Sequence, residues 1–213
     1  MKKKILISTG GSGGHVVPAL VIHEHLKETC DILLTTDKRG LKYLKEKNNN
    51  FQIINIISPK NFIFFFISLI NCIFKSLTIL KRNKIETVIS TGGYMSLPIC
   101  IASRILNINT YLFEPNLVLG RSNKFYLSFC KKIFCYSNKL KNFPNKYLKK
   151  IEIIKPLIRK EFYNKQSQKI YNPRENLNIL IIGGSQGALI FDTLLKEPIL
   201  ELKKYHNLFI RHQ

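Results

Sequence analysis

Ser12, Gly13, Gly14 and His15 follow a short apolar run, Ile5–Ser8, within ILISTGGSGGHVVPAL. They stand where a strand gives way to a helix. Glycine lets backbone N–H groups approach an anion with no Cβ in the way, and a helix start adds the positive end of its dipole. A histidine in that first turn has its cationic form disfavoured by the same dipole, which suits a neutral imidazole able to accept a proton. Together they spell an anion cradle beside a base. The alternative is that the glycines tighten a turn and the histidine packs on it. The pattern recurs, however, as VISTGGYMS around Gly92 and Gly93 and as ILIIGGSQGA around Gly183–Gly187. Three such turns at the carboxyl ends of strands favour a ligand, since that is where doubly wound sheets bind one.

Other chemistries fit less well. No loop ends in Gly-Lys-Ser/Thr, so the Walker pattern fails. Gly11-x-Gly13 is followed by Val16 where a dinucleotide fingerprint needs its third glycine, although Asp37, ending the second strand, stands where a ribose-binding acid would be. A nicotinamide-dependent oxidoreductase therefore stays in view as a rival. His23 and His25 are two apart and fall on different helix faces, so they do not form a metal pair. Five cysteines with no CxxC pair read as reduced thiols of a cytoplasmic protein, neither a disulfide frame nor a zinc site.

These loops need a scaffold, and the pattern supplies one. Strands are expected at Lys4–Ser8, Asp31–Thr36, Phe51–Ile57, Ile85–Ser90, Thr110–Phe113 and Lys132–Tyr136. Helices are expected over Val16–Lys27, with Pro18 in the first turn, over Leu41–Lys47, and from GGYMSLP through Leu106. Strands alternating with helices imply an α/β fold, an open parallel sheet covered on both faces. The polar stretch NKQSQKIYNPREN reads as a linker, after which Ile179 opens a second sheet. The expected organisation is a Rossmann-like domain over residues 1–160, a linker over 161–177 and the beginning of a second Rossmann-like domain over 178–213, which looks cut off.

Charge and hydropathy limit the partners. Of the 213 residues, 34 are Lys or Arg against 13 Asp or Glu, a net charge of +21, which favours nucleic acid or an anionic membrane face. A-plus-T-rich codon drift would also produce it, and the lysines are spread rather than gathered into a basic stripe, so no nucleic-acid partner is expected. MKKKILIS mimics a signal peptide, but its apolar run meets Gly10 and Gly11 too soon, and no export signal is expected. Phe62–Leu80 (FIFFFISLINCIFKSLTIL) has bilayer-spanning length, yet Asn71 and Lys75 lie inside it and it falls between strands of one sheet. A sheet-packed helix with one membrane-facing side, followed by the basic KRNK, reconciles these features.

TGGSGGHVVPAL, STGGYMSLP, FEPNLVLGRSNK, KPLIRKEF and GGSQGA, in this order and spacing, resemble the MurG-type N-acetylglucosaminyltransferases of the bacterial cell wall, which convert lipid I to lipid II. The resemblance implies a GT-B fold, two facing Rossmann-like domains, with the lipid-linked acceptor on the first and UDP-N-acetylglucosamine on the second. It implies transfer of the sugar to the muramyl 4-hydroxyl with inversion, without metal or cofactor, in peptidoglycan synthesis. It further implies peripheral attachment at the cytoplasmic face of the inner membrane, beside other cell-wall synthesis proteins. By resemblance, His15 is the general base, and Ser12, Gly13 and Gly14 touch substrate. Gly92, Gly93 and Tyr94 share the acceptor pyrophosphate, Asn116 and Arg159 serve the donor side, and Gly184, Ser185 and Gln186 lie against the nucleotide. Phe113-Glu114-Pro115-Asn116 stands where the family has His-Glu-Gln-Asn, so Glu114 and Asn116 remain of that polar set. Because Arg211-His212-Gln213 resembles the start of a family segment with nothing after it, the expectation is little or no transferase activity from this polypeptide alone. The alternative is a non-enzymatic, membrane-associated acceptor-binding remnant, or half of a split enzyme.

Overall fold

β1 (Lys3–Ser8) is apolar on both sides, with Ile5 and Ile7 in one core and Leu6 in another, as a central parallel strand must be. In the computed structural model, which describes residues 2–44, 51–54, 62–163, 177–183 and 189–212, the chain forms two units, Met1–Tyr163 and Asn164–Gln213. The first is a seven-stranded, wholly parallel sheet. Its other strands are β2 (Cys30–Thr36), β3 (Phe51–Ile53), β4 (Thr87–Ser90), β5 (Asn109–Glu114), β6 (Lys132–Cys135) and β7 (Ile151–Ile153), in the order β3-β2-β1-β4-β5-β6-β7. The chain winds outward from β1 to β3, then returns to the other side of β1 and winds outward again. The reversal puts a topological switch point between β1 and β4, and such a point opens a crevice at the strands' carboxyl ends.

Helices cover the sheet. α1 (Gly13–Leu26) packs Val16, Ala19 and Leu20 on the β1–β2 side. It starts three residues earlier than the apolar period predicts, because the Ser12 carbonyl accepts both the His15 and Val16 N–H groups. Pro18 therefore lies inside the helix rather than in its first turn. α2 (Phe62–Arg82) and α3 (Leu97–Ile105) pack on the opposite side, where Cys72, Ile79 and Leu80 meet Leu6, Leu33 and Val88. The other face of α2 leaves Phe66, Ile67, Ile70 and Phe74 exposed. Lys75 inside the apolar run is accommodated by donating from Nζ to the Ile53 carbonyl at 2.8 Å. No helix among the described residues is long and apolar enough to cross a membrane.

α4 (Arg121–Tyr126) and the short edge strand β7 were not legible as elements in the sequence. The helix predicted over Leu41–Lys47 is a 3-10 turn at Gly40–Tyr43, and its residues 45–47 lie outside the described ones, as do 55–57 of the predicted third strand and 164–176 of the linker. The second unit pairs β8 (Leu177–Ile181) with β9 (Leu208–His212) in parallel, joined through α5 (Leu189–Leu194) and α6 (Lys196–Lys203). Two strands and two short helices bury little, so Leu180, Ile182 and Phe209 remain exposed.

Candidate functional site

The loops after β1 and β4 meet at the switch point. Thr91 N–H donates to the Ser8 carbonyl, continuing the β1–β4 ladder by one residue into the loop. Gly92 and Gly93 then take φ values of +92° and +82°, a region that favours glycine. Their second requirement is space. A Cβ on Gly92 would stand 3.2 Å from His15 Cε1, and one on Gly93 would stand 3.2 Å from the Gly10 carbonyl oxygen. The second glycine pair thus makes room for the His15 ring, a purpose the phosphate-cradle expectation did not include.

His15 is fixed from both ends. Its Nδ1 lies 2.8 Å from the Thr91 carbonyl oxygen, and the Thr91 hydroxyl donates back to the His15 carbonyl at 3.0 Å. A carbonyl oxygen only accepts, so Nδ1 must carry the proton. In the neutral ring the free lone pair is then on Nε2, the arrangement a proton acceptor requires.

Next to the imidazole lies the start of α1, where Gly13 is buried and Gly14 exposed. Ser12 is the N-cap but its hydroxyl makes no capping hydrogen bond, and the first turn holds no acid. The Gly13 and Gly14 N–H groups precede the intrahelical ladder, so they lack helical partners. A Cβ on Gly13 would stand 3.1 Å from the Tyr43 ring, which would have to shift to admit it. Bare N–H groups at a helix start form a ready anion site.

Asp37 has a different role from the ribose acid its position suggested. Its carboxylate is buried; Oδ1 accepts the Gly11 and Gly40 N–H groups, each at 2.9 Å, and Oδ2 accepts Arg39 Nε at 2.9 Å. Burial alone would raise its pKa, but the Gly11 N–H, the Arg39 guanidinium and the Gly40 N–H outweigh it and hold the carboxyl below its ordinary value. With both oxygens committed to the chain's own loops, the acid on which a nicotinamide oxidoreductase depended is spent. Arg39 in turn donates from Nη2 to the Tyr94 hydroxyl at 3.0 Å and lies 5.4 Å over the Tyr94 ring. The two glycine loops are therefore tied by one acid–arginine–tyrosine chain.

Glu114, ending β5, is buried and likewise occupied. Oε1 accepts the Asn116 N–H and Nδ2, while Oε2 accepts the Gly120 N–H at 2.8 Å and Asn123 Nδ2 at 3.0 Å. It shapes the loop that carries exposed Asn116. Asn123 is not among the sequence-predicted candidates, although it sits in the GRSNK segment after β5. It is 2% exposed, its Oδ1 has no partner among the described residues, and its Nδ2 lies 3.5 Å from where a Gly92 Cβ would be.

The remaining candidates lie elsewhere. Arg159 pairs with Glu161 at 3.5 Å and lines a cavity of about 260 Å³ with Val17, Leu20, Val21 and Glu24, the face of α1 turned away from His15. His25 donates from Nε2 to the Ile158 carbonyl at 3.0 Å, a packing role. Gly184, Ser185 and Gln186 lie outside the described residues. No group of three or more His, Cys, Asp or Glu among the described residues could hold a metal ion.

Residues 5–135 match the N-terminal domain of glycosyltransferase family 28. The whole chain is 54% identical to a UDP-N-acetylglucosamine--N-acetylmuramyl-(pentapeptide) pyrophosphoryl-undecaprenol N-acetylglucosamine transferase of Pelagibacter ubique, covering 60% of it. It is 31% identical, over 97% of its length, to the protein of the same name from Rickettsia felis, again covering 60%. The crystal structure of Acinetobacter baumannii MurG superposes on 99% of the chain with a TM-score of 0.74 at 26% identity, and 60% of that structure is covered. The chain thus spans about 60% of the length of these relatives.

Proposed function

The chain belongs to glycosyltransferase family 28, and from that membership we propose that Met1–Tyr163 is the acceptor half of an N-acetylglucosaminyltransferase that converts lipid I to lipid II. The observation that carries the proposal is the His15 imidazole in the first turn of α1, whose Nδ1 is held by the Thr91 carbonyl and whose Nε2 makes no hydrogen bond among the described residues. In the proposed reaction Nε2 takes the proton from the muramyl 4-hydroxyl, whose oxygen forms a bond to C1 of N-acetylglucosamine from the face opposite UDP. The C1–O bond to UDP breaks, the electron pair leaves on the diphosphate, and the configuration inverts. The Gly13 and Gly14 N–H groups hold the diphosphate of the lipid-linked acceptor, and no metal takes part in the proposed step. Glu114 acts by shaping the loop of Asn116, and Asn123 by lining the site behind Gly92.

The acceptor is lipid-borne, so the proposal needs a membrane-facing surface, and α2 supports one. Phe66, Ile67, Ile70 and Phe74 form an exposed apolar stripe, and Lys81 and Arg82 close the helix. An amphipathic helix of this kind lies in the interface with its cations on anionic headgroups, a peripheral attachment. Replacing Phe66 and Phe74 by serine is expected to weaken binding to phosphatidylglycerol-containing vesicles at least tenfold, since each phenylalanine contributes about 1.5–3 kcal/mol when buried. Unchanged vesicle binding would remove the helix from the proposal.

The test of the reaction is transfer of labelled N-acetylglucosamine from its UDP form to lipid I. It is run with the chain alone and with the remainder of the Pelagibacter relative supplied in trans. His15→Ala is expected to lower transfer by about 10²–10⁴-fold, the range for loss of a general base. Wild-type rates from His15→Ala would refute the base assignment. Acceptor binding without transfer in either mixture would instead identify a binding module.

A further inference from the structure

The first glycine loop has fewer free donors than its sequence suggests, because the Gly11 N–H is consumed by Asp37. What lies over Gly11 instead is a guanidinium. Arg39 Nη2 is 3.3 Å, and its Cζ 3.9 Å, from where a Gly11 Cβ would stand. The Arg39 side chain is 57% exposed, yet it is held by Asp37 through Nε, by the Tyr94 hydroxyl through Nη2, and by the face of the Tyr94 ring. Exposed arginines ordinarily rotate freely; this one is pre-organised. Asp37, the acid that fixes it, is buried and turns its oxygens inward to Gly11, Gly40 and Nε, so it does not cover the outward edge of the guanidinium. Of five N–H donors, one on Nε and one on Nη2 are used, and the others make no hydrogen bond among the described residues. A fixed planar fork with spare donors is the arrangement that suits a phosphate better than any lysine would.

Resting on the acceptor-half assignment above, we propose that Arg39 is a diphosphate-positioning residue, held by Asp37 and Tyr94 so that its spare N–H groups meet the acceptor's diphosphate beside the first glycine loop. Tyr94, expected to touch the pyrophosphate, acts here through Arg39. UDP-N-acetylglucosamine carries the same chemistry, so the test separates the two sources. Full-length chain is titrated by calorimetry with three probes: a farnesyl-diphosphoryl N-acetylmuramoyl pentapeptide, its monophosphate counterpart, and UDP-N-acetylglucosamine.

Arg39→Ala is expected to weaken the diphosphate probe at least tenfold and the monophosphate two- to threefold, leaving the nucleotide sugar unaffected. Arg39→Lys recovers only part of the loss, because an ammonium is a point charge without the fork. Tyr94→Phe, which keeps the ring and removes one anchor, weakens the diphosphate probe about threefold and preserves the assay should Arg39→Ala fail to fold. Equal losses on both phosphates would mean a merely structural role and overturn the proposal, as would unchanged binding or a loss confined to the nucleotide sugar. Failure of the wild-type chain to bind the diphosphate probe would instead sink the acceptor-half assignment on which the proposal stands.

Discussion

Replacing Glu114 by glutamine keeps the shape of the side chain and removes its charge, which isolates what the carboxylate does for the β5–α4 loop. The native group accepts four hydrogen bonds, from Asn116 N–H at 3.3 Å and Nδ2 at 3.0 Å on one oxygen, and from Gly120 N–H at 2.8 Å and Asn123 Nδ2 at 3.0 Å on the other. Glutamine has one acceptor oxygen, so its NH₂ must face one of the two donor pairs. The cheaper orientation keeps the oxygen on Gly120 and buried Asn123 and turns the NH₂ toward exposed Asn116, where water can take over. Two bonds then drop from charge-assisted to neutral strength, from about 1.5–3 to about 1 kcal/mol each, and two are exchanged for water. With the exchange at exposed Asn116 close to neutral, the sum is a loss of about 1–4 kcal/mol. A unit of this size changes Tm by about 2–4 °C per kcal/mol, which gives a fall of about 2–16 °C. Calorimetric melting of the ligand-free variant reads it directly. A shift below about 1 °C would refute a loop-shaping role and return Glu114 to the list of residues that wait for substrate.

The other expectations use the same contacts. Gly92→Ala places a Cβ at φ +92° and 3.2 Å from His15 Cε1. It should cost about 1–3 kcal/mol in stability and shift the His15 ring signals in NMR, whereas Gly14→Ala, whose Cβ meets only Ser12 Oγ at 3.6 Å, should be neutral or stabilise by about 0.5–1 kcal/mol. Asp37 has a depressed pKa in the folded chain, so its contribution is present above the ordinary carboxylate value of 3.8 and is lost as pH falls through the lower folded value. Chemical denaturation should therefore show Asp37→Asn about 1–3 kcal/mol less stable at neutral pH, with the gap to wild type closing below the ordinary value; a gap that widens on acidification would contradict the assignment. Burial pushes the Cys100 and Cys135 thiols up to about 12, and Cys30 is the only one of the five that is not buried. Iodoacetamide at pH 8 followed by mass spectrometry should label Cys30 first and leave Cys100 and Cys135 unmodified until the chain unfolds.

β1, β2, β4, β5 and β6 were legible in the sequence because each is an apolar, β-branched run ended by glycine or polar residues. β7 was not, since three residues at a sheet edge carry no period, and neither was α4, a polar hexapeptide that buries only Asn123 and Tyr126. The glycine loops could be read as loops, but not for what each glycine does. Gly13 and Gly14 present N–H groups at a helix start, while Gly92 and Gly93 give way to an imidazole; both tasks demand the same missing Cβ, so the dipeptide alone cannot tell them apart. Asp37 illustrates the same limit. An acid at the end of the second strand is the residue that a dinucleotide site would place there, and spacing along the chain cannot reveal that Arg39 and the Gly11 N–H already occupy it. What separates the possibilities is the order of the strands. Because β4 returns to lie against β1, Thr91 comes within 2.8 Å of His15 across 76 residues of sequence, and that single juxtaposition fixes the tautomer, assigns the second glycine pair, and brings Tyr94 into reach of Arg39. The chemistry of the site is thus a consequence of topology as much as of motif.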